Sequence, residues 1–147
     1  MKKLFLLLSL VATLVFTGCD NDNSVNPQPM GKATISGIVR ADFDLNNNGG
    51  AEGKTWDAVA NTKLNVIVWN NNGDLVRTIE VTTDGSGAYT FDVEVGNLPL
   101  DVKITPVDFR HDVKISDTVT DKNVVFEGVS KDKKVYKGGS YIVDFDY

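Results

Sequence analysis

Cysteine is almost missing from this chain: Cys19 is the only one in 147 residues. One thiol cannot close an internal disulfide, and it cannot supply a cysteine-based zinc cluster. The fold must hold by core packing and hydrogen bonds. Histidine is equally scarce. His111 stands alone in Phe109-Arg110-His111-Asp112, with neither an activated nucleophile nor an orienting acid identifiable for it, so it reads as a surface histidine and not as a catalytic base. Basic charge is in deficit, with 15 Lys and Arg against 20 Asp and Glu, net −5. Removing Lys2 and Lys3 with the first eighteen residues leaves 13 basic residues against 20 acidic, net −7. Such a chain repels phosphate backbones, which excludes nucleic acid as a natural partner, and it avoids anionic lipid unless something tethers it. No glycine-rich loop opens a helix, so nucleotide binding has no basis. No segment has helical spacing.

Long apolar runs are lacking too, apart from one. Leu4 to Phe16 is broken only by Ser9 and Thr13 and follows Met1-Lys2-Lys3. As a helix it rises about 20 Å, short of a hydrocarbon core of about 30 Å. A short positive region before a short apolar one is the layout of a secretory signal over residues 1–18. It ends in Phe16-Thr17-Gly18-Cys19, with small residues just before the lone cysteine. The segment resembles the signal of bacterial lipoproteins, with Phe16 in place of the commoner leucine. The resemblance implies a diacylglycerol thioether on Cys19, cleavage before it and acylation of the new N-terminus. Two or more acyl chains would make a stable anchor where one is marginal. Asp20-Asn21-Asp22-Asn23 resembles the surface-export signal of lipoproteins in Bacteroidetes-type bacteria, and equally suits a solvated linker. The expected location is the outer membrane, at the cell surface or the periplasmic face. From Cys19 to Gly31 the chain is polar, contains proline and lacks periodicity, so it reads as a tether.

From Lys32 to Tyr147 the signal is β. Leu64, Val66 and Val68 alternate with polar or outward residues, as do Tyr89, Phe91, Val93 and Val95, then Leu100, Val102 and Ile104, then Tyr141, Val143, Phe145 and Tyr147. Period two with polar partners marks strands with one buried face. Weaker strands are expected over 34–42, 75–83, 113–119 and 123–129. Turns are expected at Asn71–Asp74, Asp84–Gly87, Gly96–Pro99 and Lys137–Gly139, where Asn and Gly supply the backbone freedom hairpins need. Lys131-Asp132-Lys133-Lys134 reads as a solvated turn. The expected fold class is all-β, one antiparallel Ig-like or prealbumin-like sandwich of seven to eight strands.

Thr83-Asp84-Gly85-Ser86-Gly87-Ala88-Tyr89-Thr90-Phe91 has the form T-D-x-x-G-x-Y-x-F. Asp84 can hold an Asx-type turn, Gly87 a left-handed position, and Tyr89 and Phe91 then point into the core. With Ser36-Gly37-Ile38-Val39 and the strand ending Leu64-x-Val66-x-Val68, the stretch from Thr34 to Ile104 resembles carboxypeptidase regulatory-like, transthyretin-like sandwich domains and the B-type repeats of Gram-positive adhesins. Those are structural or binding modules, and the resemblance implies no activity.

Two candidate sites remain. Counted from Asp44, Asp44-x-Asn46-x-Asn48-Gly49 places oxygens at positions 1, 3 and 5 and glycine at 6 of a calcium loop, with the Gly50 carbonyl at 7 and Glu52 at 9. Asp42 or Asp57 could substitute for the carboxylate expected at position 12. Position 12 is Thr55 and not a bidentate glutamate, and an Asn/Gly connection would read almost alike. The other candidates are Trp56 and Trp69, the only tryptophans, which could stack on a sugar or anchor a protein contact. The carboxylates at alternate strand positions read as sandwich surface and not as a glycosidase pair. The expected function is non-enzymatic: a lipid-anchored structural or protein-binding module of the envelope that needs no cofactor. The alternative is a carbohydrate-binding surface lipoprotein that uses an exposed tryptophan.

Overall fold

The computed structural model describes residues 29–45, 56–116 and 118–147. The signal segment, Cys19 and most of the tether lie outside them. The described residues hold eleven strand segments: β1 (Gly31–Ala41), β2 (Asp57–Ala58), β3 (Lys63–Trp69), β4 (Leu75–Thr82), β5 (Ala88–Val95), β6 (Leu100–Pro106), β7 (Phe109–Ser116), β8 (Val119–Phe126), β9 (Lys131–Val135), β10 (Ser140–Ile142) and β11 (Phe145–Asp146). Three of these are only two or three residues long. The chain is an all-β sandwich. One sheet is built on β1, with β5 antiparallel on one side and β10 and β11 on the other. The second has the order β4-β3-β6-β9 and is antiparallel throughout. A separate hairpin, β7-β8, stands at one end.

The alternating residues do what their period dictates. Ala33, Ile35, Val39 and Ala41 from β1 meet Leu64, Val66 and Val68 from β3 and Val102 and Ile104 from β6, all fully buried or nearly so. Successive side chains of a strand leave on opposite faces, so Asn65 of β3, Thr90 of β5 and their like face water. Tyr89 and Val93 of β5 complete that wall, with Phe91 half-buried against it.

The strand expectation departs from the structure in three places. The expected strand over 113–119 is not one strand: β7 ends at Ser116 and β8 starts at Val119, paired antiparallel, so the hairpin turn falls inside that span. Lys131–Val135 is strand β9, paired with β6 from Leu100↔Val135 to Ile104↔Lys131, and not a turn. It is the edge of its sheet, wet on most sides, so only Val135 is fully buried. Lysines on such an edge discourage pairing with another chain, and they hide the strand from a search for alternation. The last strand runs parallel to β1, Thr34↔Ser140 through Arg40↔Asp146, where an antiparallel partner was expected. It is also interrupted. The Ile38 N–H donates to the Asp144 carboxylate (2.9 Å) and not to a backbone carbonyl. The Val143 carbonyl instead accepts the buried Tyr89 hydroxyl.

The T-D-x-x-G-x-Y-x-F stretch folds as its residues require. The Asp84 carboxylate accepts the Ser86 hydroxyl (2.7 Å) and the N–H groups of Ser86 (2.8 Å) and Ala88 (3.0 Å). The Ser86 hydroxyl, then those two N–H groups, hold its pKa below the usual carboxylate value. Gly87 has φ +75°, and its carbonyl accepts the Val39 N–H at 2.9 Å. Thr83 is buried. Its hydroxyl donates to the Val59 carbonyl and accepts the Thr62 N–H, which ties the turn to the segment leading into β3. The motif is structural: it locks the turn that carries the chain from β4 in one sheet to β5 in the other against the end of β1.

Candidate functional site

The strand registers give the sandwich two distinct ends. At the first, the chain leads into β1 at Gly31, opposite Val95. The β5–β6 and β9–β10 turns lie beside it, because Leu100 pairs with Val135 and the Lys137 ammonium donates to the Pro29 carbonyl at 2.6 Å. The β3–β4 turn is at the same end, since Trp69 pairs with Asp101. At the far end lie the close of β1, the Asp84–Gly87 turn and the β7-β8 hairpin.

An aromatic cluster docks that hairpin. Phe109 stacks on Phe126 (centroids 4.9 Å), Tyr147 meets the edge of Phe109 (4.8 Å), and Phe43 meets the edge of Phe126 (5.5 Å). The Lys114 N–H donates to the Phe43 carbonyl at 2.8 Å, and the Tyr147 hydroxyl donates to the Val107 carbonyl at 3.0 Å. Burial first, and the Asp108 charge second, push the Tyr147 phenol up to about 12. Tyr89 is raised for the same first reason, with Asp144 as the nearby charge. Both phenols therefore stay protonated as donors at neutral pH. His111, expected on the surface, is exposed but occupied: its ring stacks on Phe43 at 3.8 Å, and Nδ1 lies 2.7 Å from the Asp112 carbonyl.

Of the six residues read as calcium ligands, Asn46, Asn48, Gly50 and Glu52 lie outside the described residues. Asp42 and Asp44 are brought together just past β1. The Asp44 N–H donates to Asp42 Oδ1 (3.1 Å), and Asp44 Oδ2 lies 3.7 Å from the Lys114 ammonium. Asp57 faces the same segment and accepts the Phe43 N–H at 3.1 Å. Among the described residues, no group of three or more His, Cys, Asp or Glu side chains is placed to hold a metal ion. Asp42 is nevertheless unusual. It is 5% exposed, and its Oδ2 is buried with no hydrogen-bond partner. It borders a cavity of about 300 Å³ whose other walls include Val113, Ile115, Val124, Phe126 and Tyr147. The sequence offered no signal for this cavity beyond the apolar alternation of the strands that line it.

The tryptophans are placed apart. Trp56 is half-buried, with the Arg40 guanidinium over its ring at 5.3 Å; that arginine also pairs with Asp146 at 2.9 Å. Trp69 is half-buried at the tether end. It lines an open cleft of about 590 Å³ with Asn71, Asn72, Asp101 and Asp132.

No protein-family model matches the chain, and no curated protein sequence matches it. Among solved structures, it is similar to the crystal structure of the major plantain pollen allergen Pla l 1, with a TM-score of 0.37 and 12% identity over 78% of this chain and 93% of that one. A likeness that slight carries no functional inference.

Proposed function

We propose that this chain is a lipid-anchored protein of a bacterial outer membrane, and that its sandwich is a non-enzymatic structural or protein-binding module. The observation that carries the reading is the short apolar run closed by Thr17-Gly18-Cys19. The position of the fold supports it. Strand β1 starts at Gly31, twelve residues past Cys19, a span of at most about 40 Å. A lipid on Cys19 would hold the tether end at the bilayer and turn the hairpin end outward. Calcium forms no part of this reading, because Asn46, Asn48, Gly50 and Glu52, four of its six expected ligands, lie outside the described residues. In cells fed labelled palmitate, the wild-type chain is expected to take up label and sediment with membranes. Cys19→Ser is expected to lose the label, and either appear in the soluble fraction or accumulate unprocessed. Undiminished labelling of Cys19→Ser would overturn the anchor.

A second reading, carbohydrate binding, is favoured by the cleft beside Trp69, where an aromatic ring adjoins amide and carboxylate groups. Rings of this kind stack on apolar sugar faces while polar neighbours bond the hydroxyls. A glycan titration should then shift tryptophan fluorescence, and Trp69→Ala should abolish the shift. A flat titration leaves the protein-binding reading.

A further inference from the structure

We propose that the tether end of the sandwich is a membrane-contact surface, which lays Met30, Leu98 and Tyr136 into the interface of a zwitterionic phospholipid bilayer. The assignment rests on the lipid anchor at Cys19. Three features carry it. The first is exposure without structural use. Leu98 is 69% exposed in the β5–β6 turn, Met30 60% just before β1, and Tyr136 55% in the β9–β10 turn. A turn asks for glycine, asparagine or proline, which Gly96, Asn97 and Pro99 supply. It does not ask for leucine, and Leu98 belongs to no part of the core. The second is that the three come together. The Met30 thioether lies beside Gly96, and Leu98 and Tyr136 line one open recess with Pro99 and Lys137. Single exposed apolar side chains are ordinary, but a contiguous group of them marks a contact surface. The third is where the chain leads. The Lys137 ammonium donates to the Pro29 carbonyl, so the segment that runs back to Cys19 leaves the domain at this patch.

The chemistry of the patch selects a bilayer. Tyrosine suits the boundary between headgroups and acyl chains, where one end of the ring is wet. Lysine beside it can lay its stem on apolar surface and keep its ammonium among the headgroups. The chain from Cys19 onward carries a net charge of −7, from 13 basic and 20 acidic residues. An anionic surface repels it, so the match is to zwitterionic lipid. Three side chains partition weakly by themselves. The anchor, however, keeps the patch within about 40 Å of the bilayer, and confinement of that kind makes a weak contact an occupied one. A protein partner or a second copy would have to enter the same gap between domain and bilayer.

The test uses the lipidated mature chain in phosphatidylcholine vesicles. Acylation of Cys19 leaves no other cysteine, so an introduced cysteine carries the only fluorophore. Leu98→Cys and Tyr136→Cys report on the patch. Gly85→Cys, with open space around its Cβ position, reports on the far end. Each is read against phosphatidylcholine spin-labelled near the top of its acyl chain, and against iodide in the water. The patch labels are expected to lose emission as the share of spin-labelled lipid rises, and to be shielded from iodide. The Gly85→Cys label should respond to iodide alone. Adding Leu98→Glu to Tyr136→Cys should reduce the lipid quenching and leave flotation with the vesicles unchanged. Patch labels that float with the vesicles but ignore the spin-labelled lipid overturn the surface and leave the anchor standing. Shielding from iodide without lipid quenching overturns it too, in favour of cover by protein. A chain that does not float overturns the anchor, and this surface with it. Should Leu98→Cys fail to fold, the Tyr136→Cys label decides the matter.

Discussion

Gly37→Ala is expected to lower the melting temperature of the sandwich by roughly 10 °C, the consequence of overpacking at the top of its usual range of about 1–3 kcal/mol. The reason is space and not backbone freedom. Gly37 lies in the middle of β1, between β5 and the C-terminal strand. A Cβ built there would stand 2.0 Å from the Val143 carbonyl oxygen, 2.7 Å from its carbon and 3.0 Å from the Tyr89 ring. The first two are backbone atoms and cannot swing aside. Relief would require moving β10 and β11 off β1, which would also disturb the Tyr89 hydroxyl on Val143 and the Asp144 carboxylate on the Ile38 N–H. Gly73→Ala is the matched control. Gly73 has φ +84° with nothing within 4 Å of its Cβ position, so its cost is only the left-handed backbone penalty of about 1–2 kcal/mol. Thermal unfolding of both variants separates the two causes. A Gly37→Ala melt no lower than that of Gly73→Ala would show that the C-terminal strand does not press on β1 as described.

Much of this architecture is legible in the sequence, and the residues show why. Leu64, Val66 and Val68 fill the buried face of a central strand whose other face carries the exposed Lys63 and Asn65, so their period is clean, and Val102 and Ile104 alternate in the same way with the half-buried Asp101 and Lys103. The Asp84–Gly87 turn is local chemistry, decided by residues within four positions of one another, and it can be read without knowing the fold. Pairings across a long sequence separation cannot. Nothing in Tyr141–Tyr147 says that its partner is β1 or that the two run parallel. Ile38 and Asp144 are 106 residues apart, and the substitution of a carboxylate for a ladder carbonyl leaves no periodic trace. Edge strand β9 is hidden because its lysines answer to water and not to a core. The candidate site is split in the same way. Asp42 and Asp44 stand out as neighbouring acids, but the apolar residues that turn Asp42 into one wall of a cavity come from β7, β8 and the C-terminus. Tertiary structure alone brings them together.

Phe145→Ala is expected to cost about 3–5 kcal/mol, the usual range for removing a buried aromatic ring. Phe145 is 3% exposed. Its ring faces Tyr89 (centroids 6.4 Å apart), and the Lys131 ammonium lies over it at 5.2 Å. It therefore joins β11 to β5 in its own sheet and to β9 in the facing one. Losing the ring leaves a void where the two sheets meet, and β11 is too short to hold its place by ladder hydrogen bonds alone. The neighbouring Arg40–Asp146 pair cannot compensate, because a pair that exposed contributes about 1 kcal/mol at most. Ile142, 76% exposed on β10, gives the contrast: Ile142→Ala removes a comparable apolar side chain from the surface and should stay within about 0.5 kcal/mol of wild type. Urea denaturation measures both, and the Phe145→Ala loss should appear in the midpoint, with the denaturant slope unchanged if the variant still unfolds in one step. A loss below about 1 kcal/mol would mean that the last strand lies on the core without being part of it, and the cavity closed by Tyr147 two residues later would lose its fixed wall.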